Sequence, residues 1–173
     1  MKTIIMATVM ATVMALGLTS AALAQSKDAS DRGFFVGGHV GSFTGNQDQV
    51  TIGLNGGYQV HRFLRAELTA ENAWKQKTGS GTMVFANVVP QYRIPGTTLT
   101  PYAVAGVGYA FDSLGAVKSG VASPVYNLGL GTRVAITDRI DADLRWRNVR
   151  SMNTSNARVR DDNIFTVGGS YRF

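Results

Sequence analysis

The sequence predicts an all-β fold: eight antiparallel strands closed up-and-down into a transmembrane β-barrel. Three observations carry this. Eight segments alternate apolar and polar residues with period two, the mark of a strand with one apolar face. Each runs about 10–13 residues, close to the ~9–11 that a tilted strand needs to cross a bilayer. The last segment ends flush on Phe173, with Phe165, Val167, Gly169 and Tyr171 on the same face, whereas chain ends are usually frayed and polar.

The start of the chain reads as a secretory signal. Lys2 is the only charge in Met1–Ala24, and an apolar stretch runs from Ile4 to about Leu18. Ala22-Leu23-Ala24 then supplies a small-x-small cleavage pattern before Gln25. The expected organisation is a removed signal over 1–24, a polar periplasmic leader over 25–33 and the barrel over 34–173. The sequence contains no cysteine, which excludes disulfides, thiolate chemistry and a lipidated cysteine at the cleavage point. Losing Lys2 lowers the formal charge from +6 to +5. For an exported chain that basic balance points to anionic lipopolysaccharide phosphates rather than nucleic acid.

In chain order the strands are Phe34–Phe43, Val50–Val60, Phe63–Trp74, Thr82–Arg93, Leu99–Phe111, Val125–Ile136, Arg139–Arg150 and Asn163–Phe173. The segment Ala66–Trp74 has some helical propensity, but its strict alternation assigns it to a strand. Short turns fall at His61-Arg62, at Ile94–Thr98 with its Pro95-Gly96 signal, and at Thr137-Asp138. The longer links are Thr44–Gln49, Lys75–Gly81, Asp112–Pro124 and Ser151–Asp162, the first two being small. Short and longer links fall at opposite ends of an up-and-down barrel, as for periplasmic turns and outer loops.

The seventh strand shows the two faces most clearly. Ile140, Ala142, Leu144 and Trp146 share one side; Asp141, Asp143, Arg145 and Arg147 share the other. The third sets Leu64, Ala66, Leu68 and Ala70 against Arg65, Glu67, Thr69 and Glu71. A water-soluble barrel would show the same alternation with its apolar face inside. The polar faces favour a membrane. Gly, Asn, Thr and Gln on the second and sixth strands stand beside large Arg and Glu on the third and seventh. Small residues beside large charged ones suit a narrow interior that must be filled. Trp74 near one rim, and Phe63, Tyr92 and Phe173 near the other, suggest interfacial girdles, although Trp146 and Tyr109 fit neither rim clearly.

With these residues in view, the chain resembles the OmpA/OmpX-like small outer-membrane β-barrel proteins. The resemblance rests on the final strand, Phe165–Phe173, and on Tyr102-Ala103-Val104-Ala105-Gly106-Val107-Gly108-Tyr109, similar to a common mid-barrel strand of that group. It implies the bacterial outer membrane, with Phe165, Tyr171 and Phe173 as the assembly signal read by the barrel-assembly machinery. It also implies a non-enzymatic structural or surface-interaction role: envelope integrity, adhesion or contact with host factors. The protein is expected to be a monomer without cofactors.

The inward charges are Arg65, Glu67, Glu71, Arg93, Arg133, Asp141, Asp143, Arg145, Arg147 and Arg172. Each needs a partner in a narrow interior, because desolvating a lone charge is severely unfavourable. The first expectation is therefore an ion-pair network that plugs the lumen, with the third and seventh strands facing each other across it. The alternative is a small gated pore in which Arg–Glu pairs exchange partners. His39 reads as a polar filler. Lys75, Lys77, Arg150, Arg158 and Arg160 are candidate lipopolysaccharide contacts, and Asp112–Pro124 a candidate protein-binding loop.

A lipid A-modifying enzyme is the remaining alternative. Asn153-Thr154-Ser155-Asn156-Ala157 looks like part of the His-x-Ser-Asn-Ala motif of lipid A deacylases. That chemistry needs an imidazole to accept the serine proton, and Asn153 stands where the His belongs. The only histidines are His39 and His61. No metal-ligand cluster or phosphate-binding glycine loop stands out in the sequence.

Overall fold

A computed structural model describes residues 32–44, 49–75, 79–112, 122–152 and 162–173. Eight strands form: β1 (Gly33–Thr44), β2 (Gln49–His61), β3 (Leu64–Lys75), β4 (Gly79–Pro90), β5 (Leu99–Asp112), β6 (Ala122–Ala135), β7 (Ile140–Ser151) and β8 (Asp162–Arg172). Each pairs antiparallel with its neighbours in sequence, and β1 pairs with β8 to close the barrel. Closure removes both sheet edges, so the strand N–H and C=O groups find partners within the wall.

The period-two pattern sets which face is which. Leu68, Leu130 and Ile136 are 59%, 61% and 63% exposed, while Arg65, Glu67, Glu71 and Arg147 are buried. The barrel is thus apolar outside and polar inside, the arrangement a hydrocarbon solvent selects. Toward the end carrying the longer links, the outward row turns partly polar. Asn72 Nδ2 donates to Thr82 Oγ1 at 3.1 Å, Asn148 Nδ2 to Asn163 Oδ1 at 3.1 Å, and Arg150 Nε to Asn148 Oδ1 at 2.8 Å.

Every strand differs from the sequence expectation by one to three residues at one end or both, β4 and β6 starting three residues early, and two of the shifts have a local reason. β4 stops at Pro90 rather than Arg93. Proline has no N–H for the ladder, so the regular pairing is interrupted there; beyond it Gln91 bridges Tyr102, Tyr92 N donates to Pro101 O at 3.0 Å and Ile94 N to Leu99 O at 3.1 Å. Arg93 lies in this terminal hairpin, just before the Pro95-Gly96 turn, and is exposed, not inward. The β2–β3 turn shifts one position to 62–63, because an irregularity between Gln59 and His61 absorbs a residue and His61 pairs with Leu64. Loop lengths also alternate less cleanly than expected: the β4–β5 link covers 91–98, against 45–48 and 76–78 at the other end. Within 91–98, Thr97 N donates to Ile94 O at 3.2 Å across Pro95-Gly96, and Gly96 has φ of 75°. Pro then Gly at the two central positions is the type II arrangement, in which a side chain at the second would be strained.

Glycines let the wall close around large inward side chains. A Cβ on Gly129 would meet Trp146 O and come within 2.8 Å of Arg147 Cγ, and one on Gly106 would meet Asn87 Oδ1.

Candidate functional site

The lumen is filled in layers. Near its middle, Arg145 reaches from β7 to Glu67 on β3: Nη1 donates to Oε1 at 2.6 Å and Nη2 to Oε2 at 3.1 Å. Both side chains are buried. Two parallel bonds fix a guanidinium against a carboxylate more firmly than one. Asn55 Nδ2 donates to Glu67 Oε2 at 3.1 Å, and Thr69 Oγ1 to Glu67 Oε1 at 3.1 Å. A chain of amides continues the network: Asn127 Nδ2 donates to Asn87 Oδ1 at 2.9 Å, and Asn87 Nδ2 to Thr69 Oγ1 at 3.0 Å.

A second β7–β3 pair lies one inward step along. Arg147 Nη2 donates to Glu71 Oε2 at 2.6 Å, and His39 Nε2 lies 3.2 Å from the same oxygen. This position for His39 on β1 makes it part of the polar packing. Toward the turn end, Arg172 Nη2 donates to Asp141 Oδ1 at 3.0 Å, and Arg133 Nη2 to Gln91 Oε1 at 2.6 Å.

Tyr102 joins these groups. Its hydroxyl donates to the Asp143 carboxylate, with Oδ1 and Oδ2 at 2.9 and 2.8 Å, and accepts from Arg145 Nε at 2.8 Å. The Arg133 guanidinium lies 4.7 Å from its ring centre and that of Arg145 5.3 Å, within cation–π range. Asp143 itself stands 3.8 Å from Arg133 Nε and 3.6 Å from Arg145 Nε. Arg65 is different. Its guanidinium sits 3.8 Å from the Phe35 ring centre, and no carboxylate among the described residues forms an ion pair with it.

The structure therefore brings Glu67, Glu71, Asp141, Asp143, Arg133, Arg145, Arg147 and Arg172 into pairs, and puts Arg65 among them without one. Sequence reasoning missed the layer that covers the pairs. Phe85, Val125, Val149 and Ile164 form a buried apolar cluster inside the lumen, with Phe43, Met83 and Ala110 packed against it. Tyr102, Val89 and Val104 form a second. The signal was present but easy to pass over: on β7 the inward row runs Asp141, Asp143, Arg145, Arg147, then Val149, so the polar face turns apolar toward the long links. Gln91, Tyr102 and the Asn55–Asn87–Asn127 group were also missed, being neutral residues in a search for charge.

The remaining candidates sit elsewhere. Phe165, Tyr171 and Phe173 face outward. Phe173 N donates to Phe34 O at 3.0 Å, and its ring meets Tyr171 edge-on at 5.2 Å. Arg150 is on the outward row of β7. The backbone of Lys75 ends β3. Lys77, Arg158, Arg160, the 153–157 motif and the signal and leader segments before position 32 lie outside the described residues. His61 falls in the β2–β3 region, at the opposite end of the barrel from the link between β7 and β8.

A family model for the outer membrane protein beta-barrel domain matches residues 10–173. A comparison with curated protein sequences finds no match. In structure, the chain is similar to the N-terminal β-barrel domain of Pseudomonas aeruginosa OprF, with TM-score 0.66 and 14% identity, covering 83% of this chain and 100% of that one. It is similar to Neisserial surface protein A, NspA, with TM-score 0.63 and 15% identity, over 85% and 100% of the two chains. The outer membrane enzyme PagL gives TM-score 0.50 and 16% identity, over 80% and 98%. Likenesses at such identities concern the fold.

Proposed function

The chain belongs to the outer membrane protein β-barrel family, and from that premise we propose that it is a non-enzymatic, monomeric barrel with a structural or surface-interaction role, its lumen closed to steady flow. One observation carries this: the interior is packed with paired charges lying next to buried apolar side chains, Phe85, Val125, Val149 and Ile164. An apolar layer across a narrow lumen resists wetting, and the bidentate Arg145–Glu67 pair ties facing walls together. Such an interior braces the wall and leaves contact with other molecules to the loop end.

Export through the Met1–Ala24 signal and recognition of the β8 end by the assembly machinery belong to the same reading. So does contact with lipopolysaccharide. The outward Asn72, Asn148, Asn163 and Arg150 supply polar groups at the loop end, where sugar and phosphate would lie. Lys75, Lys77, Arg158 and Arg160 extend that basic character in sequence. A host or surface ligand would meet the links between β1 and β2, β3 and β4, β5 and β6, and β7 and β8.

Planar-bilayer recording of the refolded protein, beside mass spectrometry of lipid A from expressing cells, tests the proposal. The expected result is no steady conductance and unchanged lipid A. A persistent open pore would replace it with the channel reading. Loss of an acyl chain that depends on Ser155 would replace it with the deacylase reading.

A further inference from the structure

One positive charge in the lumen has no carboxylate paired to it. From the middle of the barrel to the turn end, five arginines (Arg65, Arg133, Arg145, Arg147 and Arg172) stand among four carboxylates, while Asp162 lies on the same inward row at the loop end. The carboxylates are engaged. Glu67 holds Arg145, Glu71 holds Arg147, and Asp141 holds Arg172. Asp143 takes the Tyr102 hydroxyl and lies near both Arg133 and Arg145. Arg65 is left over. It is 2% exposed, its Nε has no hydrogen-bond partner among the described residues, and its guanidinium rests on the face of Phe35. Stacking on a ring leaves the in-plane N–H groups directed elsewhere.

Beside Arg65 is a polar cavity of about 10 Å³, the space of roughly one small occupant. Asn55, Arg65, Asp143, Arg145, Gly168 and Ser170 are among its lining. Ser170, 7% exposed, also has an Oγ without a partner among the described residues. One wall is backbone: Gly168 faces inward, where a Cβ would meet Gly38 O and His39 Cβ, and Gly38 and Gly169 lend their main chain. A buried guanidinium without an ion pair, a second buried donor and a small polar cavity lined by both call for a compact negative charge.

The geometry points to a site for one small monovalent anion of halide size inside the barrel, held by Arg65 Nε and the Ser170 hydroxyl. Chloride has the required chemistry: spherical, singly charged and able to accept from two donors without geometric demand. Asp143 at the edge sets a limit on affinity, yet it is offset by Arg133 and Arg145 on its other sides. The anion would give the Arg65 guanidinium the negative partner it lacks, so the barrel should be more stable in halide than in a bulky-anion salt of equal ionic strength.

Bromide is the probe. Crystals of the refolded full chain grown in sodium bromide should show one anomalous peak between Arg65 and Ser170, absent in Arg65→Met. In solution, the thermal midpoint in sodium bromide should exceed that in sodium gluconate at matched ionic strength, and the difference should vanish in Arg65→Met. Ser170→Ala removes one donor without removing the charge, and should weaken bromide binding about tenfold, the scale of one hydrogen bond to a charged group. It serves also where Arg65→Met fails to fold. A bridging water alone at that position, Arg65 turned onto Asp143, or a halide effect unchanged in Ser170→Ala would overturn the site.

Discussion

Arg145 and Glu67, 78 positions apart in the chain, meet across the lumen through two hydrogen bonds of 2.6 and 3.1 Å. They belong to strands that share no ladder, since β3 pairs with β2 and β4, and β7 with β6 and β8. Their bond is therefore a strut across the cylinder and no part of its wall.

Cutting that strut from either side should be severe. Glu67→Ala and Arg145→Ala each leave a buried charge without its partner, which costs about 3–5 kcal/mol. The double variant should lose clearly less than the sum, because neither orphan remains. Reversible urea unfolding in lipid vesicles measures all four corners of the cycle. Additive losses would mean the two residues act independently.

The outward face should reject charge according to depth. Leu68 lies in the middle of β3 and is 59% exposed. Leu68→Arg should cost about 2–4 kcal/mol in a bilayer, the scale for Arg at the midplane of such a wall. The same substitution at Ile136, past the end of β6, should cost about 0–1 kcal/mol. Equal costs at both positions would contradict a membrane-facing surface.

Two glycines should behave oppositely. On Gly129 a Cβ would collide with the backbone oxygen of Trp146, whereas on Gly38 its nearest neighbour would be Leu54 Cδ2 at 3.5 Å. Gly129→Ala should lower stability by about 1–3 kcal/mol through overpacking. Gly38→Ala should stay within about 0.5 kcal/mol of wild type. The heat-modifiable shift in gel mobility, followed against temperature, reports both.

Removing the last residue should affect assembly more than the finished barrel. Phe173 contributes one backbone bond to Phe34 and one edge contact to Tyr171. Its deletion should reduce outer-membrane levels in cells, while protein refolded in detergent keeps nearly the wild-type unfolding midpoint. Normal cellular levels would remove Phe173 from the assembly signal.

The wall was legible in the sequence because it depends on period two alone. Ile140, Ala142, Leu144 and Trp146 against Asp141, Asp143, Arg145 and Arg147 state their faces without reference to any other strand. The lumen was legible only in outline. That Glu67 faces Arg145 while Arg65 faces none depends on the tilt of the strands and the stagger between distant ones, which no local pattern carries. Arg93 shows the same limit at a boundary. Its parity is inward, but it stands past Pro90 in the hairpin that closes at Pro95-Gly96, where it is exposed.

The partners in the lumen come from distant parts of the chain. Glu67 and Glu71 enter with β3, and the arginines that receive them, Arg145 and Arg147, come with β7. A cylinder lacking its last two strands would leave both carboxylates without those partners, so the two struts answer only to a closed barrel.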